Sequence, residues 1–156
     1  MYKRQLLYCG DHDPAGLRIS DAIKETMAQL TPAVGWDPEN LIVDRFGLNY
    51  DFIRDNRLTW IDNLETGGKS KEHVNDLAHP SHPDSNKEYV QSYLAQYGPR
   101  KVEANALVVV PEAGRKLCLD SILRWLPDQD APARYKRQLD PIRQQAWEAV
   151  QQAMRA

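Results

Sequence analysis

Residues 8–21 read Tyr8-Cys9-Gly10-Asp11-His12-Asp13-Pro14-Ala15-Gly16-Leu17-Arg18-Ile19-Ser20-Asp21, and no other stretch of the chain carries as much information. A short apolar strand, Leu6-Leu7-Tyr8, runs into Gly10 and then into two acids one residue apart. Pro14 and Gly16 follow, and then a helical apolar pattern. This is a strand-turn-helix unit with two carboxylates at the carboxyl end of the strand, the edge where open α/β sheets keep their ligands. A pair of hard oxygen ligands suits Mg2+ (or Mn2+), which is commonly held by one or two carboxylates together with phosphate oxygens. The passage therefore points towards phosphate or nucleic-acid chemistry, with Asp11 and Asp13 as metal ligands. Asp13-Pro14 is equally a good helix start, with Asp as N-cap and Pro at the first helical position. Asp13 thus has two readings, whereas Asp11 has no capping role to explain it. His12 is expected to point to the other side of the turn.

Working outward, Leu17, Ile19, Ala22, Ile23, Met27 and Leu30 extend the helix over 14–30, and Thr31-Pro32 is expected to end it. Strand pattern returns at Leu41-Ile42-Val43-Asp44-Arg45-Phe46, and a short helix over 50–56 follows. Residues 61–87 are polar, with Gly67-Gly68 and two Pro, and read as a long loop or insertion. Its histidines, His73, His79 and His82, fit no compact ligand spacing and read as solvated. Glu88 to Tyr97 is a helix stopped by Gly98-Pro99. Lys101 to Leu107 reads as a third strand, continued by Val108-Val109-Val110, and Pro111 opens a helix through Trp125. Strands alternating with helices give an α/β class with a parallel core. The domain reading is an α/β domain over 1–127 and a carboxyl-terminal amphipathic helix within 128–156, on which Leu139, Ile142, Ala146, Trp147, Val150 and Met154 recur at helical spacing.

The bulk properties set limits. With 156 residues the chain can build one domain with a real core. Twenty basic and 22 acidic residues give a net charge of -2, so a global basic field is absent and any nucleic-acid contact must use a local patch. Cys9 and Cys118 stand far apart in sequence and are expected to be buried thiols, without zinc spacing or a disulfide framework. No apolar run approaches the roughly 20 residues that span a bilayer. The first residues, Met1 to Gln5, lack the long apolar region of a signal peptide, so a cytoplasmic location without membrane association is expected.

Three segments together carry a family resemblance. Gly10-Asp11-His12-Asp13-Pro14-Ala15-Gly16 resembles the Asp-x-Asp motif of Toprim domains, in the Asp-x-Asp-Pro-x-Gly form of type IIB topoisomerase A subunits and of the meiotic double-strand-break transesterase. Asp44-Arg45-Phe46-Gly47-Leu48-Asn49 looks like that group's next strand, and Lys101-Val102-Glu103-Ala104-Asn105-Ala106-Leu107 is similar to its Val-Glu-Leu-Asp-Ala-Leu segment. The variant with His between the acids also resembles Toprim-like proteins of phages and mobile elements. Order and spacing agree over about residues 5–125.

The resemblance implies a Toprim-like, Rossmann-like parallel sheet flanked by helices, with Asp11 and Asp13 holding Mg2+ (or Mn2+) near a scissile phosphate of DNA. Glu103 matches a further acid, with holding the Arg45 side chain or a backbone amide as its structural alternative. Two features of the family have no counterpart: the earlier strand-helix unit whose strand ends in a Glu, and the nucleophilic Tyr of an upstream winged-helix domain. The expectation is a metal-binding domain of DNA metabolism that supports topoisomerase- or nuclease-type phosphodiester chemistry with a partner, and that is inactive alone. A homodimer or a partner chain would complete the open sheet edge. The rival is a non-catalytic protein-interaction module on a degenerate Toprim fold. Haloacid-dehalogenase-type phosphatases also open on Asp-x-Asp after a strand, but the segments around Arg45 and Glu103 fit that family poorly.

Overall fold

The computed structural model describes residues 4–66, 74–128 and 130–154, so His73 lies outside the described residues. Strand β1 (Arg4–Cys9) leads through the Asp-x-Asp turn into helix α1 (Pro14–Val34), and strand β2 (Leu41–Gly47) returns parallel to β1. Arg4 pairs with Leu41 and Tyr8 with Arg45; the register then slips, and Cys9 pairs with Gly47. Short helix α2 (Tyr50–Asp55), helix α3 (Glu88–Tyr97), helix α4 (Pro111–Leu123) and helix α5 (Ala131–Ala153) complete the order. The class is mixed α/β, built on a two-stranded parallel sheet among the described residues.

The expected third strand does not form. Of its residues, only Lys101 and Val102 make bridges, isolated and antiparallel, to Ile61 and His12. Residues Ala104–Val109 turn into a 3-10 helix. Two hydrogen bonds account for it: the Ala104 amide donates to Asp11 Oδ1 at 2.7 Å, and the Ala106 amide donates to the Glu103 carbonyl, so the chain curls where a ladder would have to continue. Val108 and Val109 face solvent, 77% and 70% exposed, while Val110 packs against the Leu48 cluster.

Helix α1 runs past Pro32 to Val34. A proline removes one amide donor, which costs little in the last exposed turn, and Gly35 at φ 66° closes the helix by donating its amide to the Thr31 carbonyl. Strand β1 is half-buried at best, with no residue fully buried, because among the described residues it has a strand neighbour on one side only. Cys9 and Cys118 are free and half-buried rather than buried; partial burial still pushes the Cys9 thiol up, with Cys118 adding to the shift.

Among the described residues, two clusters form the core. Leu48, Ile53, Leu58 and Val102 make one, with Trp60 and Phe52 against it. Leu64, Leu77, Val90 and Tyr93 make the other, with Leu17, Tyr89 and Tyr97 against it. Leu64 and Leu77 both come from the stretch read as a polar insertion. Its described part is tied down by the Glu65–Asp76 bridge and by successive turns, and it supplies core. His82 is buried at 6% exposure, unlike the solvated side chain expected, and its Nδ1 accepts from the Asp84 amide.

The chain divides into two compact units, residues 1–121 and 122–156. In α5 no residue is buried, and Tyr135, Ile142, Trp147, Val150 and Met154 are exposed. Among the described residues no helix is long and apolar enough to cross a membrane.

Candidate functional site

The carboxyl end of β1 places Asp11, His12 and Asp13 on one tight turn. Asp13 is extended (φ -144°, ψ 172°) and caps α1, its Oδ1 accepting from the Gly16 amide at 2.5 Å. Pro14 takes the first helical position, where its missing N–H costs nothing. Asp11 spends its Oδ1 on the Ala104 amide. Each carboxylate therefore commits one oxygen to a backbone amide. Among the described residues, the second oxygen of each has no hydrogen-bond partner.

Arg45, from β2, holds the turn from beneath. Its Nη1 donates to the Gly16 carbonyl at 2.7 Å, and its Nη2 donates to the Asp11 carbonyl at 2.8 Å and to the Gly10 carbonyl at 3.0 Å. The guanidinium also lies over the Tyr8 ring, 5.1 Å being the matching figure for Arg18 over Tyr89 and 5.4 Å the figure here. Arg45 is thus bound to carbonyl oxygens of the turn, and the alternative role considered for Glu103, holding Arg45, is not what the structure has.

Glu103 instead pairs with Lys101, Nζ to Oε1 at 3.2 Å, and accepts from Asn105 Nδ2. Lys101 Nζ also donates to the Glu65 carbonyl at 3.1 Å. Asp11, Asp13, Glu103 and Lys101 all line one cavity of about 350 Å3, together with Thr66 and Glu65. The structure therefore brings the three acids singled out in the sequence to one place. Among the described residues, no three His, Cys, Asp or Glu side chains stand close enough to form a ready-made metal cluster. The donor chemistry fits a hard cation held in part by water and substrate oxygens, because such a cation needs only one or two protein carboxylates.

Lys101 was not singled out from the sequence. Its signal was the Lys101-x-Glu103 alternation, which puts both side chains on one side of an extended segment.

His12 points away from the carboxylates, as expected, into an aromatic box. Its ring centroid lies 4.7 Å from Tyr97, 5.6 Å from Trp60 and 5.8 Å from Tyr93. The box joins both core clusters, since Trp60 packs on one and Tyr93 belongs to the other. His12 is 2% exposed, with Nδ1 3.0 Å from the Leu48 carbonyl oxygen and Nε2 buried without a partner among the described residues. The tautomer that satisfies the carbonyl carries the proton on Nδ1. Burial holds the imidazole below its ordinary pKa, against the pull of the Leu48 hydrogen bond; nearby Arg45 lowers it further and Asp13 raises it. The phenol of Tyr93, whose single proton is shared between the His12 and Arg100 carbonyl oxygens, 2.8 Å from each, is pushed well up by burial.

A stability consequence follows for His12. In the unfolded chain it takes a proton near pH 6.5, whereas the folded site resists it. The unfolded state then binds more protons, so the contribution is intact above about pH 6.5 and declines as pH falls below that value. The melting temperature of the wild type is expected to drop more between pH 7.5 and 5.5 than that of His12→Phe, which keeps ring volume without titrating. Parallel pH slopes for the two proteins would remove His12 as the cause.

Comparisons with models of known families, with curated proteins and with solved structures find no match. The functional reading therefore rests on the residues and geometry of the chain itself.

Proposed function

We propose that this chain is a Toprim-like, divalent-metal-binding domain of DNA metabolism that supports phosphodiester cleavage or transesterification. The observation that carries it is the convergence of Asp11, Asp13, Glu103 and Lys101 on one cavity at the carboxyl end of β1. Asp11 and Asp13 hold Mg2+ or Mn2+ through the oxygens that backbone amides leave unused. Bound there, the ion supplies neutralisation of charge developing on a phosphate and its leaving oxygen. Lys101 offers a cation to a phosphate oxygen, and Glu103 sets the position of that ammonium. Arg45 fixes the backbone from which both aspartates project. The partner enters through β1. The strand that leads into the carboxylates is paired on one side among the described residues, and its free edge suits a strand from a second copy or another chain.

A second reading has its own support. Asp13 caps α1 and Asp11 holds the 3-10 segment, so both acids have structural work without a metal. An interaction module on the same fold needs nothing more, and the exposed apolar side chains of α5 suit it.

Calorimetric titration with Mg2+ and Mn2+ separates the two. Asn accepts the same amide hydrogen bonds as Asp and caps helices about as well. Asp11→Asn and Asp13→Asn therefore remove charge while keeping the fold. The metal reading expects binding by the wild type that weakens at least about tenfold, ~1.4 kcal/mol, in either variant. A wild type that takes up neither ion, or variants that bind as well as it does, would leave the interaction module standing.

A further inference from the structure

A second cleft adjoins the carboxylates, on the other side of Pro14. It lies between α1 and α3, has a volume of about 260 Å3, and shares Pro14 as a wall with the cavity of Asp11 and Asp13. Half-buried Tyr89 and Tyr97 line it, Tyr97 also packing on the His12 ring. Arg18, exposed on α1, sets its guanidinium 5.1 Å from the centre of the Tyr89 ring. Asp21 and Gln96 stand at the rim and provide polar edges.

We propose that this cleft takes a nucleobase of a single-stranded nucleic acid whose backbone runs past Asp11 and Asp13. The inference rests on the reading of that end of β1 as a phosphate site and adds the class of strand it receives.

The lining decides the occupant. Two aromatic rings and a guanidinium plane are stacking surfaces for a flat π-system. Asp21 in the same cleft disfavours a phosphate there, but its carboxylate accepts from a base N–H, and the Gln96 amide serves either kind of base edge. Position agrees with this assignment. Arg18 follows Pro14 by four residues, just over one turn of α1, or ~6 Å along its axis. A strand with its phosphate at the carboxylates can therefore lay a neighbouring base in the cleft. Charge agrees as well. At a net charge of -2 the chain lacks the basic field that duplex binding through phosphates requires. On a single strand, base stacking adds binding energy of its own beside the electrostatic term.

The test is fluorescence anisotropy with the full chain in EDTA, using a labelled oligothymidylate of about ten nucleotides and an abasic strand with the same number of phosphates. The expected result is that the thymidylate binds at least about fivefold more tightly than the abasic strand, the scale of one stacked base. Tyr89→Ala should erase that difference, Tyr89→Phe should keep it, and Arg18→Ala should reduce it. Tyr89 packs against a core cluster, so Arg18→Ala, at an exposed position, carries the test if Tyr89→Ala fails to fold. Equal affinity for the two strands, no binding of either, or a preference that survives both Tyr89→Ala and Arg18→Ala would each overturn the proposal. Because metal is absent from this assay, its outcome is separate from that of the Mg2+ titration: base-dependent binding alongside a silent titration would sink the metal reading alone.

Discussion

Replacing Arg45 by Ala is expected to cost about 3 kcal/mol or more of folding stability, on the scale of losing several charge-assisted hydrogen bonds at once. The side chain serves the Gly10, Asp11 and Gly16 carbonyls, with the Leu48 carbonyl at 3.4 Å as a longer contact. Those carbonyls face inward because the turn must present the carboxylates outward. Without the guanidinium they lose a donor in a half-buried site that water cannot fully replace, at about 1–3 kcal/mol for each group left unsatisfied. The losses do not simply add, since the groups share one partner and can relax together. Against a typical total of about 5–15 kcal/mol, the variant should remain folded only marginally. Urea unfolding measures this directly. At a slope of about 1–3 kcal/mol per molar, the midpoint should fall by roughly 1 M or more. Arg45→Lys is a sharper probe. An ammonium keeps the charge but not the planar fork that reaches carbonyls on both sides of the turn, so it should recover less than half of the loss. A lysine variant as stable as wild type would mean that charge alone, and not the fork, holds the turn.

Arg45 also shows how far the sequence could be read. Its place in a strand was legible, because Leu41-Ile42-Val43 are strand formers and Asn49 follows a Gly-Leu break. Its partners were not, because they are backbone carbonyls 29 to 35 residues earlier and leave no mark in residue type. The same contrast runs through the chain. Helix α3 was legible to the residue, since Gly98 and Pro99 stop it without any tertiary help. The run from Lys101 to Val110 misled, because β-branched residues favour a strand and only the carboxylate of Asp11, some ninety residues away, takes the Ala104 amide out of the ladder. Leu64 and Leu77 were hidden for the opposite reason. Two isolated leucines in a polar stretch have no period, and their burial depends on Val90 and Tyr93 from α3. At the site, Asp11 and Asp13 stood out because acids directly after a strand are unusual. His12 was placed on the right side of its turn, but the rings that enclose it come from Tyr50, Trp60, Tyr93 and Tyr97, whose convergence only the fold creates.

The second large effect is expected at Gly16, where two local rules oppose each other. Gly16 sits in the first turn of α1, and by helix propensity alone Gly→Ala there should stabilise by up to about 1 kcal/mol. Space decides otherwise. A β-carbon at this position would stand only 2.2 Å from the Asp11 carbonyl oxygen and 3.1 Å from Asp13 Oδ1. The first of these is a backbone atom that Arg45 also holds, so it cannot move without disturbing the turn. The Gly16 amide meanwhile donates to Asp13, and the Gly16 carbonyl accepts from Arg45. Alanine must therefore push Asp11 and Asp13 apart or lift the start of α1, and either movement breaks charge-assisted hydrogen bonds. Gly16→Ala is expected to destabilise by about 2 kcal/mol or more, with the clash outweighing the propensity gain. On the proposed metal reading it should also weaken Mg2+ or Mn2+ uptake at least about tenfold, ~1.4 kcal/mol, because both aspartates are displaced together. Thr26, exposed further along α1 and lining neither cleft, supplies the control: Thr26→Ala should leave both quantities near wild type. Urea unfolding and calorimetry on the two variants read stability and metal uptake separately. A Gly16→Ala protein that gained stability would show that the Asp11 carbonyl does not approach α1 as closely as the fold requires. One that lost stability but kept full metal affinity would show that the ion does not depend on the turn geometry of Asp11 and Asp13, which would remove the main support for a metal at that pair.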